Sequence, residues 1–205
     1  MHKFKLILIS DENFSVEDIP FIKWALANGL DRFHLRKKEA NQELVNTLLA
    51  EFSEAERTKI SVHYHHANET VLSLKVGLHF SLDHLNKFTT ANEIKATPKI
   101  ARINSYSIHR WQELQEIPDY VDYVFISPVF PSISKPGYSN ENLLLSSRLV
   151  LQETQIEVIA LGGIQSTQLT ELQALGFAGA AILGAVWKAK DPYESMLHFF
   201  QSRRI

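Results

Sequence analysis

Residues 157–187 constrain the fold more than any other part of the chain, because they contain two apolar runs that both end in glycine. The first run, residues 158–161, is apolar without alternation, as expected for a strand covered on both faces, and Gly162-Gly163 follows it. The second run, residues 180–183, is equally apolar and stops at Gly184. This pattern predicts two neighbouring, buried parallel strands.

A short helix is expected between the two runs. Ser166 should cap it, it should run to about residue 174, and Gly176 should end it. Strand ends that finish in glycine and lead to helix N-termini commonly bind phosphate in (β/α)8 barrels, because backbone N–H groups can approach the anion closely. The same glycines are equally consistent with a simple turn of the chain, so this stretch alone leaves both interpretations open.

The remaining sequence alternates strands and helices at a period of roughly 25 residues, as in a compact (β/α)8 barrel. The predicted strands are residues 4–9, 32–36, 60–63, 78–80, 99–103, 122–126, 158–161 and 180–183. Helices are expected from Ser15 to Gly29, from Asn41 onward, and at residues 67–75, 109–115, 141–152, 166–174 and 192–202. No structure is assigned to residues 82–97.

Eight alternating units predict an α/β protein with a single domain, a (β/α)8 TIM barrel over residues 1–205. A doubly wound open sheet is the alternative. The barrel is preferred because the repeat continues without a linker or a shift in composition, and because the glycine-ended pair falls on strands seven and eight, where barrels bind phosphate.

Composition excludes several classes of protein. A net charge of −2 offers no general attraction to nucleic acid or to an anionic membrane. The absence of cysteine excludes disulfides, thiolate metal sites and a cysteine nucleophile. No apolar run approaches the roughly 18 residues of a membrane span, and the N-terminal run reads as a first strand rather than a signal peptide, so a cytoplasmic protein is expected.

In a barrel, function lies just after the strands. His34, Arg36 and Lys38 share one parity of strand two, and three potential cations at a strand end indicate an anionic ligand or acidic neighbours. The alternative is that the lysines lie in a solvated loop and that Arg36 pairs with Glu39.

His63 and His65 share a face at the end of strand three, and His79 lies in strand four. A zinc site would need further ligands at later strand ends, which supply serines and glycines instead, so these histidines are interpreted as polar packing groups or neutral ligand contacts. The loop after strand six carries Ser132, Ser134 and Lys135. This composition is typical of a lid that closes over an anion, and equally of a plain polar connection between two elements.

Four segments together resemble the thiamine phosphate synthase family and its sister, the thiazole tautomerase group: His34-Leu-Arg-Lys-Lys38, Gly77-Leu-His-Phe80, and residues 122–135 and 158–164. The likeness covers nearly the whole chain. It implies a TIM barrel that joins hydroxymethylpyrimidine diphosphate to thiazole phosphate and releases pyrophosphate with Mg²⁺. Small phosphorylated pyrimidine and thiazole substrates are then the partners, with no nucleic acid or membrane, and a homodimer is left open.

The resemblance also implies roles for individual residues. Arg36 and Lys38 would grip the diphosphate, with Ser107 nearby, and His34 falls where the family has a pyrimidine-facing glutamine. The thiazole phosphate would contact Ser132, Ser134 and Lys135 on the closing loop, and the backbone of Gly162, Gly163, Leu183 and Gly184. His63, His65 and His79 would line the substrate site. The family's magnesium aspartate after strand four falls on Asp83, which would be the magnesium ligand, or on His84 if the match shifts by one residue.

Two positions depart from the family pattern. The family's Asn-Asp pair after strand three, which supplies a magnesium ligand, falls on Tyr64-His65, and the tautomerase group's catalytic histidine falls on Pro128. Two alternative functions therefore stand beside the synthase. One is an isomerase of thiazole carboxylate phosphate with a histidine as proton-transfer group, and the other is a silent barrel that binds thiamine precursors.

Overall fold

Eight parallel strands close into a barrel in sequence order, with β8 paired to β1. The structure, a computed structural model, describes residues 3–37, 39–81, 103–131 and 141–203, with the backbone alone at 141 and 142. The strands are β1 Lys5–Ile9, β2 Arg32–Leu35, β3 Ile60–His63, β4 Gly77–Phe80, β5 Asn104–Ile108, β6 Tyr123–Ile126, β7 Glu157–Leu161 and β8 Gly179–Ile182. The closed barrel confirms the predicted fold and excludes the open sheet.

Helices follow the strands and cover the outside of the barrel. They are α1 Ile19–Asn28, α2 Gln42–Ala50, α3 Glu54–Arg57, α4 Glu69–Ser73, α5 Glu141–Glu153, α6 Leu169–Leu175, α7 Gly184–Trp187 and α8 Pro192–Ser202. Short 3-10 helices lie at Val16–Asp18, Tyr64–His66, Trp111–Glu116 and Ser166–Gln168. In the described part of the chain, none of the helices combines the length and apolar character needed to cross a membrane.

Local caps account for where the helices begin. Ser15 and Asn41 accept backbone N–H groups at the predicted starts, and Asp191 does the same for α8. The predicted cap at Ser166 is wrong. Gln165 occupies the cap position, because its backbone N–H donates to the Gln168 side chain at 2.7 Å in a reciprocal capping box.

The fifth strand lies later in the chain than predicted. Residues 99–103 were expected, but β5 is Asn104–Ile108, and of the predicted range only Ile103 is described, ahead of the strand. The reason is that β5 turns Ser105 and Ser107 toward the barrel interior, so it lacks the continuous apolar run that marks a buried strand.

Asn104 does not face the mouth of the barrel, which is formed by the carboxyl ends of the strands. As the first residue of β5 it lies at the opposite end. Its backbone N–H donates to Asp122 at 2.6 Å, and its side-chain amide donates to the Tyr120 carbonyl at 3.1 Å.

Two apolar clusters form because side chains along each strand point alternately out of and into the barrel. The larger one joins outward-facing strand residues such as Leu6, Phe33 and Val124 to the helices. The smaller one, inside the barrel, contains Ile7, Ile9, Tyr123, Phe125, Ile159 and Ala181. The strand register explains the separation, because successive residues point to opposite faces of the barrel wall.

Candidate active site

The barrel interior is apolar on one side and polar on the other. Isoleucine, alanine and leucine face inward from β1, β7 and β8. The strands from β2 to β6 instead turn a set of polar residues inward, which are Arg32, His34, Ser61, His63, His79, Ser105, Ser107 and Tyr123. A polar half-barrel of this kind, beneath the carboxyl ends of the strands, is suited to holding a polar ligand ring.

His34 lies inside the barrel, where its solvent exposure is only 3%. Its Nε2 atom is 2.5 Å from the Tyr123 hydroxyl, and its ring packs 4.8 Å from that of Phe125 and 5.3 Å from that of His79. Burial, reinforced by the nearby His79, Arg32 and His63, holds the pKa of His34 well below its ordinary value. At neutral pH, His34 is therefore a neutral imidazole.

His79 is held between two serines of β5. Its Nδ1 lies 2.9 Å from Ser105 Oγ, and its Nε2 lies 2.9 Å from Ser107 Oγ. Ser107 was predicted to lie near the diphosphate after strand five, but it is within β5 and pairs in register with Phe125. The structure thus brings His34, His79 and Ser107 together beneath the mouth, as one polar layer.

His63 and His65 continue this polar wall upward from the end of β3. Their Nδ1 atoms are 2.7 Å apart, and the His63 ring lies 5.8 Å from that of His79. His66, directly after them, is buried and bonded to the Lys37 carbonyl at 2.9 Å. His66 is therefore a packing residue, whereas His63 and His65 line the mouth.

The described residues do not fit Mg²⁺. In this part of the chain, no three His, Cys, Asp or Glu side chains come together in a way that could hold a metal ion. Tyr64 and His65 directly follow β3, and Mg²⁺ prefers carboxylate and water oxygen to imidazole nitrogen. Asp83, the predicted ligand, lies outside the described residues.

Arg36 follows β2 at the mouth. Its Nη1 is 3.1 Å from Glu12 Oε1, and its backbone N–H donates to the buried Ser10 hydroxyl at 2.8 Å. The alternative pairing with Glu39 is therefore wrong, because the carboxylate comes from the loop after β1. Lys37 also reaches this loop and donates to the Glu12 carbonyl. Lys38 lies outside the described residues.

Gly162 and Gly163 pack against the loop after β6. The Val129 and Phe130 N–H groups donate to the carbonyls of Leu161 and Gly162 at 2.9 and 3.1 Å. Both glycines have positive φ, 98° and 66°. A Cβ on Gly163 would come within 2.5 Å of the Pro131 carbonyl oxygen, so a close backbone approach requires glycine here.

The N–H groups of Gly163 and Gly184 have no backbone acceptor among the described residues. Leu183 precedes α7 and Gly184 begins it, at the end of β8 next to the end of β7. The two interpretations of the glycines are therefore compatible: they make a tight turn and leave N–H groups at the mouth. Ser132, Ser134 and Lys135 lie outside the described residues.

Sequence reasoning missed several polar residues of the interior. Tyr123 is buried and its hydroxyl is hydrogen-bonded to His34, and Arg32 donates to Ser61 at 3.2 Å. One signal could have revealed them: inside a closed barrel, polar residues at alternate positions of a strand face inward together, as Arg32 and His34 do.

The chain forms a closed (β/α)8 barrel, and glycines leave N–H groups at the ends of β7 and β8. Arg36 and the histidines at the end of β3 lie on the other side of the mouth. These features define the class of phosphate-binding barrel proteins. Residues 6–186 match the thiamine monophosphate synthase family model. The chain belongs to this family.

Individual relatives agree with the family model. The chain is 35% identical over 71 residues to the thiamine-phosphate synthase of Lactococcus lactis subsp. cremoris, a match that spans 35% of this chain and only 33% of that protein. It is 25% identical over 184 residues to the Latilactobacillus sakei thiamine-phosphate synthase, covering 88% of this chain and 80% of the relative.

Solved structures show the same fold. The crystal structure of thiamine phosphate pyrophosphorylase from Bacteroides thetaiotaomicron superposes with a TM-score of 0.71 at 27% identity, over 98% of this chain and 96% of that chain. The match extends around the whole barrel and therefore includes the strand ends described above.

Proposed function

We propose that the chain is a thiamine phosphate synthase-like transferase that couples hydroxymethylpyrimidine diphosphate to thiazole phosphate. The observation that carries the proposal is the position of Arg36, on the same mouth as the N–H groups of Gly163 and Gly184. Two separate anion sites on one mouth suit a reaction between two phosphorylated substrates.

The proposed reaction breaks the bond between the pyrimidine methylene carbon and the diphosphate oxygen. The electron pair leaves with pyrophosphate, and the thiazole nitrogen attacks the remaining pyrimidine-stabilised cation to form a C–N bond and a thiazolium ion. The negative charge that develops on the leaving group needs neutralising. Arg36 is suited to this task because its ion pair with Glu12 is partly exposed and therefore weak, so diphosphate oxygens can replace the carboxylate.

The polar half-barrel would receive the pyrimidine ring, with His34, His79 and Ser107 as its floor and His63 and His65 at its side. The backbone of residues 162, 163, 183 and 184 would receive the thiazole phosphate. The resemblance alone assigns Lys38, Ser132, Ser134 and Lys135 to these anions. It also implies Mg²⁺ with Asp83 as ligand, and no step is derived through the metal.

Pyrophosphate release tests the transferase. The full chain is incubated with both substrates and Mg²⁺, and pyrophosphate is measured against reactions that lack one substrate. Release that requires both substrates supports coupling. Absence of release above the buffer rate refutes the transferase, and a sedimentation experiment on the same sample tests for a homodimer.

One observation favours a second function, an isomerase acting on thiazole carboxylate phosphate. Imidazoles line the mouth from β3 to β5, and His109 Nδ1 is 3.0 Å from the Ser127 carbonyl, beside the Pro128 position. A histidine in this wall could move the proton that ring isomerisation requires. Failure of the chain to accelerate isomerisation would exclude this function, and calorimetric binding without either reaction would support a silent precursor-binding barrel.

A further inference from the structure

The Tyr123 hydroxyl is hydrogen-bonded to His34 in the barrel interior, 2.5 Å from Nε2. Beside this pair, Arg32 Nη1 donates to Ser61 Oγ at 3.2 Å, and Ser61 pairs in register with His34. Tyr123 and His34 are buried, so their polar groups must satisfy one another rather than water.

The donor in this contact follows from the protons available. A phenol carries one proton, and among the hydrogen bonds of the described residues His34 Nε2 is the partner of the Tyr123 hydroxyl. Because a buried donor without an acceptor is costly, Tyr123 donates and His34 Nε2 accepts.

Packing keeps His34 in this arrangement. Its ring packs against the rings of Phe125 and His79, which also contact each other, and burial keeps its pKa low, so it carries a single proton at neutral pH. Because Nε2 accepts, that proton lies on Nδ1.

We infer that Tyr123 is a positioning residue: its hydroxyl holds His34 in the Nδ1–H tautomer, so that His34 offers a hydrogen-bond donor to the substrate pyrimidine. The ring nitrogens of an aminopyrimidine accept hydrogen bonds, and an Nδ1–H group is complementary to them. The substrate role rests on the proposed function, whereas the tautomer is a property of the chain without ligand.

Nuclear magnetic resonance of the ¹⁵N-histidine-labelled full chain tests the tautomer directly. Long-range proton–nitrogen correlations distinguish Nδ1–H from Nε2–H imidazole, and loss of signals in His34→Gln assigns those of His34. We expect Nδ1–H in the wild type. Tyr123→Phe should move His34 toward Nε2–H. Tyr106→Phe is the matched control, because Tyr106 is equally buried but faces outward from β5.

Kinetics test the substrate role. Tyr123→Phe should raise the KM for the pyrimidine diphosphate about ten-fold, the cost of about one buried hydrogen bond, while the KM for thiazole phosphate changes less than about two-fold. Equal effects on both KM values would mean a merely structural role and overturn the substrate role, and Tyr106→Phe should change neither.

The two experiments separate the two ideas. An Nε2–H tautomer in the wild type overturns the inference whatever the activity. An Nδ1–H tautomer that shifts in Tyr123→Phe supports it. If the wild type releases no pyrophosphate, the proposed function fails, while the spectra still decide the tautomer.

Discussion

The guanidinium of Arg36 is paired with the carboxylate of Glu12, Nη1 to Oε1 3.1 Å apart, at the carboxyl ends of β2 and β1. The group that the proposed function assigns to the diphosphate is therefore held at the mouth by a partly exposed partner. Such pairs contribute little to stability, so a ligand with more negative charge can displace the carboxylate.

We expect Arg36→Ala to weaken pyrophosphate binding by about 10- to 100-fold, the range for a lost charged hydrogen bond, and inorganic phosphate binding by less than about three-fold. Calorimetric titration of the full chain measures both. Arg148→Ala, at an exposed position of α5, is the matched control. Equal losses for the two anions would assign Arg36 a structural role.

Removing the competing carboxylate should have the opposite effect. We expect Glu12→Gln to tighten pyrophosphate binding by about two- to three-fold, because the exposed ion pair no longer has to be broken. The same titration measures it, and weaker binding in this variant would contradict the displacement of Glu12 by the ligand.

Gly163→Ala should lower the free energy of unfolding by about 2–4 kcal/mol, since the new Cβ adds a clash to the cost of a positive φ. That Cβ would lie 2.5 Å from the Pro131 oxygen and 2.8 Å from Phe130. Gly176→Ala isolates the backbone cost. Gly176 has φ +99° and its nearest contact is 3.5 Å, so about 1 kcal/mol is expected. Urea unfolding compares them, and equal losses would contradict the close approach at Gly163.

The buried His34 should make stability depend on pH. Its pKa is below the ordinary value of 6.5 in the folded chain, so the unfolded chain binds the extra proton first as the pH falls. The stabilisation is complete above about pH 6.5 and declines below it by up to about 1.4 kcal/mol per pH unit, until the folded pKa is reached.

Unfolding curves of wild type and His34→Gln between pH 7.5 and about 5 measure the contribution of His34. The free energy of unfolding of the variant should fall less steeply with decreasing pH than that of the wild type. Gln201→Ala, at an exposed position of α8, removes no titratable group and should keep the wild-type slope. Parallel curves for wild type and His34→Gln would show that His34 does not titrate in the expected direction.

The histidines at the end of β3, His63 and His65, should make Mg²⁺ binding weaker than a carboxylate at this position would. We expect His65→Asp to lower the Mg²⁺ concentration for half-maximal pyrophosphate release by about ten-fold, because it supplies the carboxylate oxygen that Mg²⁺ prefers. His198→Asp makes the same change away from the mouth and should leave the Mg²⁺ requirement unchanged. An unchanged requirement in His65→Asp would mean that the end of β3 does not face the metal.

Most strands could be predicted from the sequence because they coincide with recognisable apolar runs. The unbroken apolar runs at residues 158–161 and 180–183 predicted β7 and β8 to within a residue at each end. β5 was displaced for the same physical reason: inward-facing serines in a polar half-barrel remove the apolar signal on which the prediction depends.

The same signal separates the site residues that the sequence predicted from those that it missed. His34, Arg36 and the glycines were found because they follow or lie in recognisable strands, and their clustering at the mouth follows from the barrel. Tyr123 was missed, since a tyrosine in an apolar strand reads as core, and only the register reveals that its hydroxyl reaches His34 from four strands away.

The sequence by itself determined the alternation of strands and helices, the glycine-bounded strand ends and the family, because these depend on local periodicity and on short motifs. Tertiary structure alone decided the partners: Glu12 for Arg36, Tyr123 for His34, and the two β5 serines for His79. Barrel closure brings together residues separated by 24 to 89 positions. Contacts over such separations leave no periodic signal in the sequence, yet they set the charge and tautomer of the groups at the mouth.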